Sequence, residues 1–170
     1  MKEEKKKEII DKIVQKAVDA QLKVDSCAWS TLYGLSTYFA VPKEMVAASM
    51  ALSGGGASSS GTCGALNSGL LVIGAKNFPP VEEQLNGDEK TQEKNGAAFA
   101  KAFRLRDAFL AEYGCLLCRD VHKRLYGRSF NLLDEKEREE FLNLPGHREK
   151  CAEVVAFATR KTAEILLEDE

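Results

Sequence analysis

The chain has 170 residues, a formal net charge of −2 at pH 7, and 44% hydrophobic and 29% charged residues. This length fits one domain with a real core, and the near-neutral charge speaks against nucleic-acid binding. The mixed-charge start, MKEEKKKEII, is not followed by the apolar stretch of a signal peptide, and no segment reaches the roughly 18 apolar residues of a membrane span. We therefore expect a single cytoplasmic domain over residues 1–170 with no membrane span.

The spacing of apolar residues predicts helices along the whole chain. An amphipathic helix covers residues 3–22, and residues 1–8 form its solvated, charged start. Further helices are predicted over residues 26–40, 42–50, 62–76 and 92–113, and an exposed polar connection over residues 79–92. Shorter helical segments follow, and a last helix begins near His147. No segment alternates as a strand does, so we predict a compact all-α bundle of about six or seven helices.

A Gly/Ser-rich loop precedes the helix of Cys63, in the sequence LSGGGASSSGTCGALNSG from Leu52. Glycines cost backbone entropy unless the chain needs unusual dihedral angles or a close approach, so we expect Gly61 and Gly64 to line a site. A cysteine at a helix start meets unpaired N–H groups and the positive end of the helix dipole, which favour the thiolate. A phosphate-binding loop is the weaker interpretation, because its lysine is missing.

The five cysteines are many for a chain without an export signal. In a reducing compartment they favour metal binding or redox chemistry over structural disulfides, although inert buried thiols are the alternative. Four of them fall at or near predicted helix starts: Cys27, Cys63, Cys118 and Cys151. Their spacing is too wide for a zinc finger. Cys115 and Cys118 form one CxxC, which lacks both a βαβ context and the histidine of a haem attachment motif.

The order of these residues resembles the redox-active protein family named after the cysteine pattern C_GCAxxG_C_C. The matching positions are Cys27, the segment Cys63–Asn67 (CGALN), Cys118 and Cys151, so the resemblance spans roughly residues 10–165. It implies redox activity centred on these four cysteines and no defined reaction. The chain departs from the pattern in two places. Ser68 stands where the final glycine of the motif falls, and Cys115 is an additional cysteine.

Several functions are compatible with four gathered cysteines. Our main interpretation is an electron-transfer protein that binds an iron–sulfur cluster, most simply [2Fe–2S], through the four thiolates. The alternatives are a thiol–disulfide protein with Cys63 or Cys118 as the attacking thiol, a zinc site, and a helical adaptor whose thiols serve packing. The electron donor and acceptor are unknown from the sequence, and a homo-oligomer is an open alternative.

The two histidines are further candidates because each lies four residues from a cysteine. His122 follows Cys118, and His147 precedes Cys151. Side chains at i and i+4 are neighbours on a helix, so both histidines can donate hydrogen bonds to sulfur or act as ligands. The alternative is that both are ordinary surface residues.

Overall fold

The computed structural model describes residues 1–168 and confirms the all-α prediction, since these residues contain no strand. The helices are α1 (Glu3–Val24), α2 (Cys27–Ser36), α3 (Lys43–Ala48), α4 (Gly64–Asn77), α5 (Val81–Asn86), α6 (Glu89–Tyr113), α7 (Cys118–Tyr126), α8 (Glu135–Leu142) and α9 (His147–Leu167). A 3₁₀ turn, Ser49–Leu52, follows α3. No helix in the described range is long and apolar enough to cross a bilayer.

The described residues form nine α-helices, where six or seven were predicted. Part of the difference is α5, which lies inside the predicted polar connection 79–92. It has six residues, none of them buried, so it carries no apolar period that the sequence could display. Its signals are local ones: Pro80 at its start, two glutamates in its first turn, and Gly87 in the left-handed conformation at its end.

The main core lies where α1, α2, α4 and α9 pack together, with α6 along one side of α4 and α9. Fully buried Ala17, Leu32, Leu66 and Val155 come from these four helices. A smaller hydrophobic cluster lies beside it, formed by Phe130, Leu132 and Phe141 with Tyr126, Leu144 and Cys151. The second cluster brings α7 and α8 against the first turns of α9.

The contact between α1 and α2 depends on Gly34. A Cβ added there would lie 2.5 Å from the Cβ and 3.0 Å from the Cα of Ala17. Because the opposing atoms belong to a helix backbone, Gly34→Ala has to push α1 and α2 apart. We expect a loss of about 1–3 kcal/mol in the free energy of unfolding.

Chemical denaturation of Gly34→Ala beside Gly96→Ala tests this expectation. Gly96 lies inside α6, and apart from the nearby backbone of its own helix, no atom of the described residues lies within 4 Å of an added Cβ. Alanine there gains up to about 1 kcal/mol from helix propensity alone. Equal stabilities of the two variants would show that α1 and α2 are not in close contact at Gly34.

Candidate functional site

The four cysteines of the pattern line one cavity of about 70 Å³, which we call the cysteine cavity. Cys27 is the first residue of α2, Cys63 the N-cap of α4, and Cys118 the first residue of α7. Cys151 lies near the start of α9. All four carry free thiols; Cys63 and Cys118 are buried, and the other two are half-buried. Four helix beginnings, far apart in sequence, therefore converge on one space.

Backbone hydrogen bonds hold Cys63 and Cys118 beside each other. The N–H of Cys63 donates to the carbonyl of Leu116 over 2.8 Å, and the N–H of Cys118 donates to the carbonyl of Gly61 over 2.7 Å. Thr62 and Leu117 form an isolated antiparallel bridge between these bonds. The end of the Gly/Ser loop is thus paired with the segment that leads into α7. This short pairing fixes the position of two sulfurs without any strand.

The sulfur of Cys27 is surrounded by hydrogen-bond donors. Hydrogen bonding with the side chain of Cys63 and with the backbone N–H groups of Gly54, Ala28 and Ala65 stabilises the thiolate form of Cys27. The hydrogen bond from Cys63 and these N–H groups together outweigh burial and lower the pKa of Cys27 to about 7. The hydrogen bonding with Cys27 and burial raise the pKa of Cys63 well above its ordinary value. Cys27 is therefore the more acidic thiol of the pair.

Gly64 allows this close approach. A Cβ at Gly64 would lie 2.8 Å from the carbonyl oxygen of Leu52 and 2.9 Å from the Sγ of Cys27. Gly61 has a different local role: a Cβ there would lie 2.6 Å from the carbonyl oxygen of Gly55, where the loop crosses itself. Gly54 has a φ of 64°, in the left-handed region, while its N–H reaches Cys27.

Burial has the largest effect on the pKa values of Cys118 and Cys151. Burial raises the pKa of Cys118, and the nearby charges of Cys27 and Cys151 raise it further. Burial also raises the pKa of Cys151 to about 12. The Sγ of Cys118 lies 3.5 Å from Nε2 of His122, and the Sγ of Cys151 lies 3.4 Å from the hydroxyl of Tyr126. The cavity is thus electrostatically asymmetric, with the most acidic thiol at Cys27.

Of the other predicted site residues, His122 lines the cavity, whereas His147 and Cys115 do not. His122 lines the cavity and is buried, and burial lowers its pKa to about 4, so its ring is neutral. His147 is also buried, but its Nε2 lies 2.8 Å from Oδ2 of Asp25 and the residue does not line the cavity. The alternative that both histidines are ordinary surface residues is therefore wrong. Cys115 lies outside the cavity, where its thiol donates to the carbonyl of Tyr113 over 3.4 Å.

Ser68 stands where the family pattern has glycine, and its hydroxyl has a hydrogen-bond partner. Its hydroxyl donates to the carbonyl of Ala28 over 2.8 Å in a fully buried position. This bond ties α4 to α2 one residue beyond Cys27. A buried hydroxyl with a partner carries no desolvation penalty, so serine fits where the motif has glycine.

Sequence reasoning missed Tyr126, Asp25 and Gln21. Gln21 and Asp25 line the cavity, and Nε2 of Gln21 donates to Oδ1 of Asp25 over 3.2 Å. Asp25 ends α1 with a φ of 56°, a conformation that Asp tolerates better than most residues. Tyr126 had a usable signal, because it lies eight residues after Cys118 on one helix and therefore on the same face.

As the side chains stand, no three His, Cys, Asp or Glu residues within residues 1–168 form a group that could hold a metal ion. Cys27 and Cys63 are the two cysteines whose pKa values are shifted most strongly by each other. A common ligand set would need the cysteine side chains to change rotamer. Such changes move a sulfur between staggered positions and leave the backbone in place.

A family model matches most of the chain. Residues 26–165 match the family model described as "Putative redox-active protein (C_GCAxxG_C_C)". No match was found among curated proteins or among solved structures. The matched range covers most of the chain and contains all four cavity cysteines. The chain therefore belongs to the C_GCAxxG_C_C family.

Proposed function

We propose that the protein transfers electrons through an iron–sulfur cluster, [2Fe–2S], held by the four cavity cysteines. The observation that carries this proposal is the convergence of four free thiols, from four helix starts, on one cavity. Four cysteine thiolates are the usual ligand set of such clusters. Held by these four cysteines, such a cluster would supply one-electron transfer between an external donor and an external acceptor.

The residues around the cavity fit such a group. Its sulfur-rich lining suits iron and sulfide better than hard cations, and Asp25 is the one carboxylate among the described residues that line it. The N–H groups of Gly54, Ala28 and Ala65 already point at a ligand sulfur, which is the kind of contact that stabilises thiolate charge and tunes a cluster. At least some of the four cysteine side chains would have to change rotamer to form one ligand set.

Two features of the chain would support the bound state. Cys27, Cys63 and Cys118 lie at helix N-termini, where the helix dipole stabilises negative charge on sulfur. The remaining wall is largely apolar, with Val121, Leu132, Phe141 and Val154 among the lining residues. Apolar side chains limit the access of water, which controls the potential of a metal site and protects it.

Anaerobic purification tests the proposal. We expect about two iron and two acid-labile sulfide per chain, together with visible sulfur-to-iron charge-transfer bands. Reconstitution with iron and sulfide under reducing conditions serves as the positive control. Zinc in place of iron, or no metal after reconstitution, would contradict the proposal.

A second candidate is a dithiol–disulfide protein, and the hydrogen bond from Cys63 to Cys27 favours it. The Cys27 thiolate would attack an external disulfide, forming a mixed disulfide and releasing one thiolate. Cys63, after losing its proton, would then attack the Cys27 sulfur and release the second thiolate. Two electrons pass from the cysteine pair to the external disulfide, and a Cys27–Cys63 disulfide remains.

The pKa of Cys27 leads to a prediction for the metal-free protein. Below about pH 7 Cys27 is a thiol, and above it a thiolate, so its alkylation by iodoacetamide should rise through about pH 7. Cys63, Cys118 and Cys151, whose pKa values are raised, should react only at higher pH. Peptide mass spectrometry of each cysteine measures this order. Earlier alkylation of Cys118 than of Cys27 would contradict the assignment of the thiolate.

A further inference from the structure

Helix α7 presents one polar face to the two later cavity cysteines. Cys118, His122 and Tyr126 follow one another at i, i+4 and i+8, so they share a side of the helix. Nε2 of His122 lies 3.5 Å from the Sγ of Cys118. The hydroxyl of Tyr126 lies 3.4 Å from the Sγ of Cys151, which belongs to α9. One helix thus places a side-chain hydrogen-bonding group against each of these sulfurs.

The hydroxyl of Tyr126 carries one proton and lies beside two possible hydrogen-bond acceptors. It donates to the carbonyl of His147 over 2.9 Å, and the thiol of Cys151 can then donate to its oxygen. When the Cys151 sulfur is a metal-bound thiolate, it has no proton to give. The hydroxyl can then rotate about its C–O bond and donate to the sulfur instead, because both acceptors lie within reach.

Aromatic packing holds both groups in place. The His122 ring stacks on Phe141 with centroids 4.3 Å apart, and the Tyr126 ring meets Phe130 and Phe141 edge-on. Among the described residues, Nδ1 of His122 is buried without a hydrogen-bond partner, so the contact with Cys118 is made by its other nitrogen. Aromatic packing thus fixes the two rings, and with them the positions of the two hydrogen-bonding groups, when the charge of the site changes.

We propose that Tyr126 and His122 are positioning residues that hydrogen-bond to the sulfurs of Cys151 and Cys118 and raise the reduction potential of the cluster. This inference rests on the proposed function. Reduction adds one electron, supplied by an external one-electron reductant, and places more negative charge on the sulfurs. A hydrogen bond to a sulfur stabilises that charge, so the reduced state gains more than the oxidised state.

Tyr126→Phe is the sharpest test, because it removes one hydroxyl and keeps the ring. In the cluster-loaded protein, titrated with dithionite in the presence of redox dyes, we expect the equilibrium constant for reduction to fall severalfold. A tenfold fall corresponds to about 59 mV for a one-electron couple. Tyr33→Phe is the matched control, because Tyr33 is 37% exposed and stacks on Trp29, away from the cavity lining.

His122→Phe is the second variant, since a phenyl ring can keep the stacking on Phe141. It too should lower the potential while the iron content stays at the wild-type level. Wild-type potentials in cluster-loaded Tyr126→Phe and His122→Phe would overturn this inference and leave the proposed function standing. A wild-type chain that takes up no iron would overturn the proposed function and, with it, this inference.

Discussion

Cys63→Ser is expected to abolish stable cluster binding. Cys63 is 4% exposed and lines the cavity, so its loss removes one of the four proposed ligands. Removing even an outer-shell partner of a metal ligand costs roughly 10–100-fold in metal affinity, and a direct ligand should cost more. Iron retained after desalting should therefore fall by at least about tenfold. The fold should survive, because a serine hydroxyl can still donate to the Cys27 sulfur.

Cys115→Ser is the control for this experiment. Cys115 forms the CxxC with Cys118 but lies outside the cavity, with its thiol on the carbonyl of Tyr113. We expect wild-type iron content and spectra in this variant. Equal iron loss in Cys115→Ser and Cys63→Ser would assign the site to the CxxC instead. Unchanged iron in both would exclude Cys63 as a ligand.

Gly64→Ala is expected to weaken both the fold and the site. The added Cβ would lie 2.8 Å from the carbonyl oxygen of Leu52 and 2.9 Å from the Cys27 sulfur. The start of α4 has to move away from α2, which also displaces Cys63. We expect a loss of about 1–3 kcal/mol in the free energy of unfolding. Iron content should fall in the same variant, because the N–H of Ala65 moves away from the Cys27 sulfur.

Gly74→Ala provides a control in the same helix. An added Cβ there meets one atom, the Cδ2 of Phe78, at an ordinary contact distance of 3.8 Å. Its stability should match the wild type or exceed it by up to about 1 kcal/mol, with iron unchanged. Chemical denaturation and iron analysis of both variants provide the comparison. A stable, iron-containing Gly64→Ala protein would show that the close approach of α4 to the Cys27 sulfur is not required.

The helices, and the location of the cysteines at helix starts, could be predicted because their sequence signals are local. Ser26 caps α2 through a hydrogen bond from the N–H of Trp29, and Gly114 ends α6 in the left-handed conformation. Long amphipathic helices such as α1 show their period directly. The short α5 buries no residue, so it shows no apolar period, and only its end signals, such as Pro80 and Gly87, mark it in the sequence. Helix prediction therefore succeeded where buried residues give the sequence an apolar period, and it was incomplete where no residue is buried.

The partners of the cavity residues depend on contacts between distant segments. The bonds between Cys63 and Leu116 and between Cys118 and Gly61 join segments more than 50 residues apart in the chain. His147 reaches Asp25 across an even larger separation. The i+4 rule found the neighbour of Cys118, because His122 shares its helix. It failed for Cys151, because the neighbouring side chain, Tyr126, comes from α7.

The most direct test of the iron–sulfur proposal is a crystal structure of the anaerobically purified protein, with anomalous scattering measured at the iron edge. The account predicts iron peaks inside the cysteine cavity, within bonding distance of the sulfurs of Cys27, Cys63, Cys118 and Cys151. Cys115 should have no iron beside it. A cavity without iron, with Cys27 and Cys63 joined in a disulfide, would contradict the cluster proposal and support the dithiol alternative.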